Sequence, residues 1–392
     1  MNSGWQIKKL GEVCVTDKTQ GIHRNLPYVG LENIEAHTAE FIGSLEVQAA
    51  QSATFRFSQE HVLYGRLRPY LNKVFAPDFE GHCSTEIFPI RPNPRLLREF
   101  LLYWFLADET VNRINGTCTG ARMPRANMND VMEFEFPLPP LAEQRRIVSI
   151  LDNALSGISA AKANVESNRK NVRSLFESRA NEIFLQRGDG WIERTLATLC
   201  DIKHGFAFKS EFFTSSGDYT LLTPGNFYEA GGYRDRDEKQ KYYCGEIPKG
   251  YVLSEGDLLV AMTEQAAGLL GSPALIPASG KFLHNQRLGL LTKKPDAPWI
   301  NEFFFHVFNT SAVRKAIHDS ASGVKVRHTS PTKIGEVIVA FPKSTEEQRA
   351  IVAQLSDLDI ESQRLAAIYQ QKIDALDELK KSLLHQAFSG QL

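Results

Sequence analysis

Two stretches of the sequence share a core, PPLAEQRRIVSILD at residues 139–152 and STEEQRAIVAQLSD at residues 344–357. In each, Glu-Gln-Arg is followed by spaced aliphatic residues. Pro140 suits a first helical turn, because proline lacks the N–H that would have no partner there. Ser344 and Glu347 have the spacing of a capping box. The sequence therefore predicts the same helix start twice, with Pro139, Pro140 and Glu143 fixing the angle between the first helix and what precedes it.

Both starts lead into an apolar stripe. From Ile147 and from Ile351, positions taken alternately four and three residues apart are apolar in eight cases out of ten. This spacing over about five heptads is typical of a coiled-coil seam, whereas an amphipathic helix on a globular core usually has a wider stripe. The predicted seam consists of Ile147, Leu151, Ile158, Val165, Asn168 and Val172 in the first helix, and Ile351, Leu355, Ser362, Leu365, Tyr369 and Leu376 in the second.

The ends of the two helices are predicted from glycines. Gly188 and Gly390 lie just past the last apolar positions, where a left-handed cap residue is favoured. Each helix would then have about 40 residues and a length of about 60 Å. Two helices of matched length most simply pair in antiparallel fashion. With flush ends, Asn168 would lie opposite Ser362, and this polar pair would fix the register.

The rest of the chain is repeated as well. GWQIKKLGEVC at residues 4–14 aligns without gaps on GWIERTLATLC at residues 190–200, an offset of 186, whereas the helix starts are 204 residues apart. The second copy therefore has about 18 extra residues, which we assign to a solvated insertion at residues 228–245. The predicted fold is α+β, with two globular α/β domains joined by two long antiparallel helices. The predicted boundaries are residues 1–138, 139–187 (helix), 188–343 and 344–392 (helix).

Composition and motifs narrow the class of protein. The 392 residues contain 42% hydrophobic and 23% charged residues, with a net charge of −1, which leaves room for local basic patches only. The absence of a long apolar run or an N-terminal apolar segment predicts a cytoplasmic protein. Five scattered cysteines without a C-x-x-C pair argue against structural zinc and against a disulfide framework.

Catalytic signatures are missing from the sequence. It contains no G-x-x-x-x-G-K-[ST], no G-x-G-x-x-G and no N-P-P-[YF] or D-P-P-[YF] tetrapeptide. Pro77-Asp78 and Glu86 weakly resemble a nuclease carboxylate pair, but Phe88 stands where a lysine is needed. The histidines show no H-E-x-x-H or comparable ligand spacing. We therefore expect no catalytic residues, no bound cofactor and no metal in this chain.

The combined motifs resemble the specificity subunit of type I restriction-modification systems over nearly the whole chain. YGRLRPYLNKV (residues 64–74) and CSTEIFPIRP (residues 83–92) resemble the core of its first domain. PLPPLAEQRRIVSIL (residues 137–151) and FPKSTEEQRAIVAQL (residues 341–355) resemble its conserved helix starts. The second copy lacks the double proline and has VLSEGDLLVAMTEQ (residues 252–265) in place of the R-x-R-P stretch. The resemblance therefore implies two domains that read different sequences.

By this resemblance, each globular domain is a target recognition domain that reads one half of a split, asymmetric site in double-stranded DNA. The helices would set the gap and bind two modification subunits, which use S-adenosylmethionine to methylate adenine. Separate restriction subunits would use ATP and Mg²⁺ to translocate and cut DNA. Two alternatives stay open: a bivalent protein scaffold that does not bind DNA, and an enzyme with an unrecognised active site.

Candidate DNA contacts lie in polar loops with spaced cations, because base reading requires Arg, Lys, Asn or Gln and phosphates accept any reachable cation. YGRLRPYLNK could instead be a solvated edge strand. The loops that follow Gly120 and Gly323 could instead pack on the helices. The predicted contacts are Arg66, Arg68, Lys73, Arg122, Arg125 and Asn127 in the first copy, and Lys209, Arg287, Lys325, Arg327 and Lys333 in the second.

Overall fold

The computed structural model describes residues 4–47, 52–120, 122–264, 268–323 and 326–392. It contains two compact units. The first unit consists of Met1–Asn168 with Ile368–Leu392, and the second consists of Arg169–Ala367. The division falls within both long helices, so each unit contains the beginning of one long helix and the end of the other.

The described part of the first unit is a mixed α and β domain. Its strands are β1 Gln6–Lys9, β2 Cys14–Thr16, β3 Gln20–Gly21, β4 Tyr28–Val29, β5 Thr54–Phe57, β6 Val62–Gly65, β7 Val74–Phe75, β8 Gly81–Cys83, β9 Ile87–Pro92 and β10 Glu135–Leu138. Its helices are α1 Leu10–Val13, α2 Arg98–Leu106, α3 Asp108–Asn115, α4 Met128–Met132 and the start of α5 Leu141–Leu185. The strands form sheets in the orders β2-β9-β6-β7, β3-β5-β8-β4 and β1-β10.

The described part of the second unit repeats this plan. Its strands are β11 Trp191–Thr195, β12 Cys200–His204, β13 Phe213–Thr214, β14 Tyr219–Leu222, β15 Tyr242–Tyr243, β16 Leu258–Ala261, β17 Thr263–Glu264, β18 Pro273–Leu275, β19 Phe282–His284, β20 Leu288–Lys293, β21 Arg327–His328 and β22 Ile338–Pro342. Its helices are α6 Leu196–Leu199, α7 Asn301–Asn309, α8 Ser311–Asp319, α9 Pro331–Gly335 and the start of α10 Thr345–Ser389. The sheet orders are β12-β20-β16-β18, β13-β15-β14-β19, β11-β22 and β17-β21.

The predicted repeat and fold class are confirmed, but the four-stranded sheets β3-β5-β8-β4 and β13-β15-β14-β19 differ in strand order. Each contains one parallel pair, β4 with β8 and β14 with β19. In the first unit, β5 pairs with β8, whereas in the second unit β15 pairs with β14. β15 lies inside the predicted insertion, and its Tyr243 is buried. The extra residues of the second copy are therefore partly built into a sheet rather than wholly solvated.

Both long helices contribute to the core of the first unit. Ile147 and Leu151 of α5 belong to the same buried cluster as Leu384 and Ala387 of α10. Further along α5, Lys162 Nζ lies 2.8 Å from Asp377 Oδ1. Since residue numbers rise along α5 while they fall along α10, the helices are antiparallel in this unit, as predicted.

The second unit uses the opposite ends of the same helices. Phe184 of α5 and Ile351 and Val352 of α10 pack against its core, which includes Phe303 and Phe341. Both helices are 45 residues long, which corresponds to about 68 Å. A Schellman-type hydrogen bond ends α10, with Gly390 at φ +77° and Gln391 N donating to Gln386 O at 3.0 Å. Gly188 is not among the described glycines with positive φ.

The predicted seam is buried only in part. Ile147, Leu151, Ile158 and Leu355 are buried. The half-buried seam residues are Val165, Val172, Ile351, Ser362, Leu365, Tyr369 and Leu376. Asn168 is exposed, and its pairing with Ser362 stays a prediction. Leu175 and Leu379, which continue the 4-3 pattern, are 63% and 48% exposed.

A buried glutamine amide joins each long helix to its domain. Gln144 is fully buried; its Nε2 donates to Pro139 O (2.8 Å) and Arg95 O (2.9 Å), and its Oε1 accepts from Leu97 N (2.7 Å). Leu97 immediately precedes α2, so one side chain connects the start of α5 to the start of α2. Glu143, to which we assigned this task, instead pairs with Arg146, at 2.8 Å.

The second unit has the same joint. Gln348 is fully buried, and its Nε2 donates to Pro342 O at 2.9 Å and to Pro298 O at 2.7 Å. Pro342 ends β22, and Pro298 precedes α7. The amide nitrogen of the middle residue of the Glu-Gln-Arg motif therefore has the same role in both copies. The amide oxygens differ, because Gln348 Oε1 is buried without a hydrogen-bond partner among the described residues.

Replacing Gln144 by alanine should destabilise the first unit. The substitution leaves the Leu97 N–H and two carbonyls without the partner that satisfies them, which costs about 1–3 kcal/mol of the free energy of unfolding. Urea unfolding followed by tryptophan fluorescence measures this loss. Arg145→Ala, at the exposed neighbouring position, is the control and should change the free energy by less than about 0.5 kcal/mol. Equal midpoints for Gln144→Ala and Arg145→Ala would contradict this role of the amide.

Candidate nucleic-acid interface

Main-chain hydrogen bonds bring three segments of the first unit together at the end of β6. Arg66 N donates to Glu86 O at 2.9 Å, and Ala126 N donates to Arg66 O at 2.9 Å. Arg68 N donates to Pro124 O at 2.7 Å. Two of the three segments are the predicted patches at residues 64–73 and 115–130. The third, around Glu86, was not predicted to take part.

Glu86 accepts hydrogen bonds from two arginines. Its Oε2 accepts from Arg66 Nε at 3.0 Å, and its Oε1 accepts from Arg125 Nε at 3.0 Å and from Arg125 Nη2 at 2.9 Å. Burial alone would raise the pKa of Glu86, but the hydrogen bond from Arg125 and the charges of both arginines hold the pKa below its usual range. We call Arg66, Glu86 and Arg125 the arginine–glutamate cluster. Because both oxygens of Glu86 bind guanidinium groups, the carboxylate is occupied as an arginine partner, which argues against the nuclease reading.

Two further predicted cations border this cluster with exposed side chains. Arg68 and Arg122 have no side-chain hydrogen bond or ion pair with any residue that the structure describes. Arg68 also has a left-handed backbone, with φ +51°. For a residue with a Cβ this conformation is uncommon and costs on the order of 1 kcal/mol or more. The strain falls on a residue whose side chain is directed to solvent.

Other predicted contacts of the first unit have partners within the protein. Lys73 Nζ donates to Leu31 O at 2.7 Å and to Ile34 O at 2.8 Å. Asn127 precedes α4 as its N-cap, where its side chain accepts from Asn129 N and donates to Asp130. Both side chains satisfy groups of the fold, so the structure gives no support to a DNA-binding role for them.

The second unit has the same main-chain arrangement with different side chains. Met262 N donates to Arg287 O at 2.8 Å, and Thr329 N donates to Met262 O at 2.9 Å. Ser322 and His328 exchange two main-chain hydrogen bonds, as Thr119 and Arg125 do in the first unit. The hydrogen bonds therefore match Met262 to Arg66, Arg287 to Glu86, and His328 to Arg125. Glu86 of the first unit thus corresponds to Arg287 of the second, so the charge at this position is reversed.

The predicted cations of the second unit differ in their surroundings. Arg287 is exposed and has no side-chain partner in the described part of the chain. The side chain of Lys209 is 75% exposed, with Glu211 Oε1 at 3.8 Å from its Nζ. Arg327 donates to the ring and to the carbonyl oxygen of His318, and Lys333 Nζ donates to Ser320 O at 2.7 Å. Lys325 lies outside the described residues.

A buried carboxylate takes the place of Arg68 in the second unit. Glu264 follows Met262 by two residues, as Arg68 follows Arg66, and is 4% exposed. It accepts from Gly268 N at 3.0 Å and from Leu270 N at 2.9 Å. An anion that orders a loop thus replaces an exposed cation, which adds to the difference between the two surfaces.

Two other kinds of feature are absent from the described residues. No helix there is long and apolar enough to cross a membrane. No group of three or more His, Cys, Asp or Glu side chains there is arranged to hold a metal ion.

Comparison with known proteins supplies the family. The family described as "Type I restriction modification DNA specificity domain" matches residues 2–166 and 188–372. The EcoDI specificity subunit of Escherichia coli, a type I restriction enzyme component, is 27% identical over 180 residues, which cover 45% of this chain and 40% of that protein. The chain thus spans less than half of the length of this relative.

Two solved structures have the same fold. One, described as "Structural basis underlying complex assembly and conformational transition of the type I R-M system", has a chain that matches with a TM-score of 0.81 and 22% identity, covering 100% of this chain and 99% of that one. The HsdS subunit from Thermoanaerobacter tengcongensis matches with a TM-score of 0.62 and 21% identity, covering 100% and 98%. Both likenesses confirm the predicted fold.

The arginine–glutamate cluster should make the stability of the first unit depend on pH. The pKa of Glu86 is lower in the folded chain than its unfolded value of about 4.3. Its pairing therefore contributes to the free energy of unfolding above that pH, and the contribution is lost as the pH falls through the folded pKa. Glu86→Gln should unfold at a lower urea concentration than the unchanged chain at pH 7, and the difference should shrink below about pH 4.

Urea unfolding curves between pH 3 and pH 7 measure this effect. Glu60→Gln, at an exposed position of the same unit, is the control. A difference between Glu86→Gln and the unchanged chain that grows on acidification would show that the pairing does not stabilise the fold.

Proposed function

Because the chain belongs to the family of type I restriction modification DNA specificity domains, we propose that it is the sequence-recognition subunit of a type I restriction-modification complex. Each unit reads one half of a bipartite, asymmetric site in double-stranded DNA. The chain itself is not catalytic. The observation that carries the proposal is the repeated loop arrangement with unlike charges, Glu86 between two arginines in one copy and the exposed Arg287 in the other.

The two loop arrangements support two different half-sites. Base edges in the major groove are distinguished by their patterns of hydrogen-bond donors and acceptors. The loops of the first unit carry the donors of Arg66, Arg68, Arg122 and Arg125. The matching loops of the second unit carry Arg287 as an exposed cation and therefore offer a different pattern of donors. To recognise an asymmetric site, the two units need different side chains on the same loop backbone, and the matching loops have this arrangement.

The long helices set the gap between the half-sites and bind two modification subunits. Leu175 of α5 and Leu379 of α10 support this part of the proposal, because both are exposed apolar residues at the same position of the repeat, 204 residues apart. Two equivalent apolar positions fit two copies of one partner. S-adenosylmethionine then belongs to those partners, which methylate adenine, and ATP and Mg²⁺ belong to restriction subunits.

Exchanging residues 190–340 for the matching segment of another family member should change one half-site only. The exchange replaces the loops of the second unit and leaves the first unit and both helices as they are. Single-molecule methylome sequencing of cells that express the complex reads both half-sites and the gap. The reciprocal exchange of residues 4–138 is the control and should change the other half-site. If one exchange altered both half-sites, the two units would not read DNA independently.

Replacing the exposed leucines should remove the modification subunits one at a time. Burial of a leucine contributes about 1.5–3 kcal/mol, so Leu175→Ser or Leu379→Ser should weaken the binding of one partner by about tenfold or more. Native mass spectrometry of the purified complex counts the partners that remain. Ser178→Ala and Ser382→Ala, also at exposed and repeat-equivalent positions, are the controls. Two partners retained by the double leucine variant would contradict this docking surface.

A further inference from the structure

Arg66 is held in place by two contacts while most of its hydrogen-bond donors are unused. Its Nε donates to Glu86 Oε2 at 3.0 Å, and its guanidinium lies 5.2 Å from the centre of the Phe88 ring. The side chain is 33% exposed. No acceptor for its Nη1 and Nη2 hydrogens is found among the residues that the structure describes. The end of the guanidinium is therefore fixed in orientation and open to a ligand.

Arg125 donates to the other carboxylate oxygen of Glu86, Oε1, and so helps to hold Glu86 in place. Its Nε and Nη2 both donate to Glu86, which fixes the carboxylate between two guanidinium groups. Arg125 is itself fixed by two main-chain hydrogen bonds with Thr119, each 3.1 Å long. Glu86 can therefore hold Arg66 in one orientation in the absence of DNA.

An arginine that presents its two terminal nitrogens fits one base better than the others. Guanine offers two acceptors in the major groove, O6 and N7, which a guanidinium can bind together. Adenine offers one acceptor and one donor there, so the second N–H of the arginine would meet a donor. Holding the side chain in advance reduces the rotamer entropy that is lost on binding.

We infer that Arg66 reads a guanine in the half-site of the first unit and that Glu86 is the positioning residue that aims it. This inference rests on the proposed function and deepens it, because it assigns a base to one half of the site. The second unit has no equivalent of this pair, since Met262 and Arg287 occupy the matching positions. The second half-site of the same DNA molecule therefore serves as an internal control.

The experiment uses the full chain in complex with its modification subunits. Once methylome sequencing has given the site, each guanine of the first half-site is replaced in turn by 7-deazaguanine, which lacks the N7 acceptor. Binding is measured at fixed salt for the unchanged chain and for Arg66→Met, which introduces the residue of the second unit. Arg66→Lys keeps the charge without the paired donors, and Glu86→Gln keeps the shape without the charge.

One guanine of the first half-site should lose about tenfold or more in affinity on replacement when Arg66 is present. With Arg66→Met, which has no donor, the same replacement should change the affinity by less than about twofold, and with Arg66→Lys the loss should be smaller than with arginine. Glu86→Gln should give an intermediate loss, with no change at the second half-site. Thermal unfolding shows which variants are folded. Only the folded variants are used to test whether Arg66 reads a guanine.

Three results would overturn the inference. In the first, no guanine in the first half-site is sensitive to loss of N7. In the second, Arg66→Met weakens binding but keeps the sensitivity of the unchanged chain, as a purely structural arginine would. In the third, the complex binds no bipartite DNA at all, which refutes the proposed function and the inference with it. The first two results leave the proposed function intact, so the two failures are distinguishable.

Discussion

The buried amide of one glutamine in each copy is the interaction on which the architecture depends. Gln144 and Gln348 have no solvent exposure, and the amide nitrogen of each finds its hydrogen-bond acceptors within the protein. Both donate to the carbonyl of a proline that precedes a long helix and to a second carbonyl near the start of another helix. Because the amide donates to both places at once, the long helix cannot rotate about its start without breaking a buried hydrogen bond. This contact therefore adds to the apolar packing of the first helical turns in fixing the direction of each long helix.

The helices and the repeat could be predicted from the sequence because their signals are local. Apolar spacing and repeated motifs are readable without knowing which residues meet in space. The neighbours that cover an apolar stripe are not readable in this way. Leu151 and Leu175 continue one heptad pattern, yet Leu151 is buried in the core of the first unit and Leu175 is 63% exposed. The pattern defines a face of the helix, and the structure shows which part of that face is covered.

The candidate site was predicted less well, because it depends on pairings that are distant in the sequence. Glu86 lies 20 residues from Arg66 and 39 from Arg125, and they meet only because main-chain hydrogen bonds hold their three segments together at the end of β6. Lys73 and Lys333 show the converse limit, and their predicted DNA contacts stay predictions. Each is a cation in a polar loop, but each donates to main-chain carbonyls of the fold. The sequence shows which side chains can donate hydrogen bonds. The main-chain carbonyls that need a donor can be identified only in the folded structure.

The duplicated loops explain how two copies can keep one fold and differ in what they bind. At the end of β6 and of β16 the segments are held by main-chain hydrogen bonds, Arg66 N to Glu86 O and Met262 N to Arg287 O. Main-chain groups are the same for every residue except proline, so these hydrogen bonds can form with different side chains in the two copies. A glutamate can therefore be exchanged for an arginine without rebuilding the backbone. In a duplicated chain this freedom allows the two surfaces to diverge in charge while the joints at Gln144 and Gln348 remain the same.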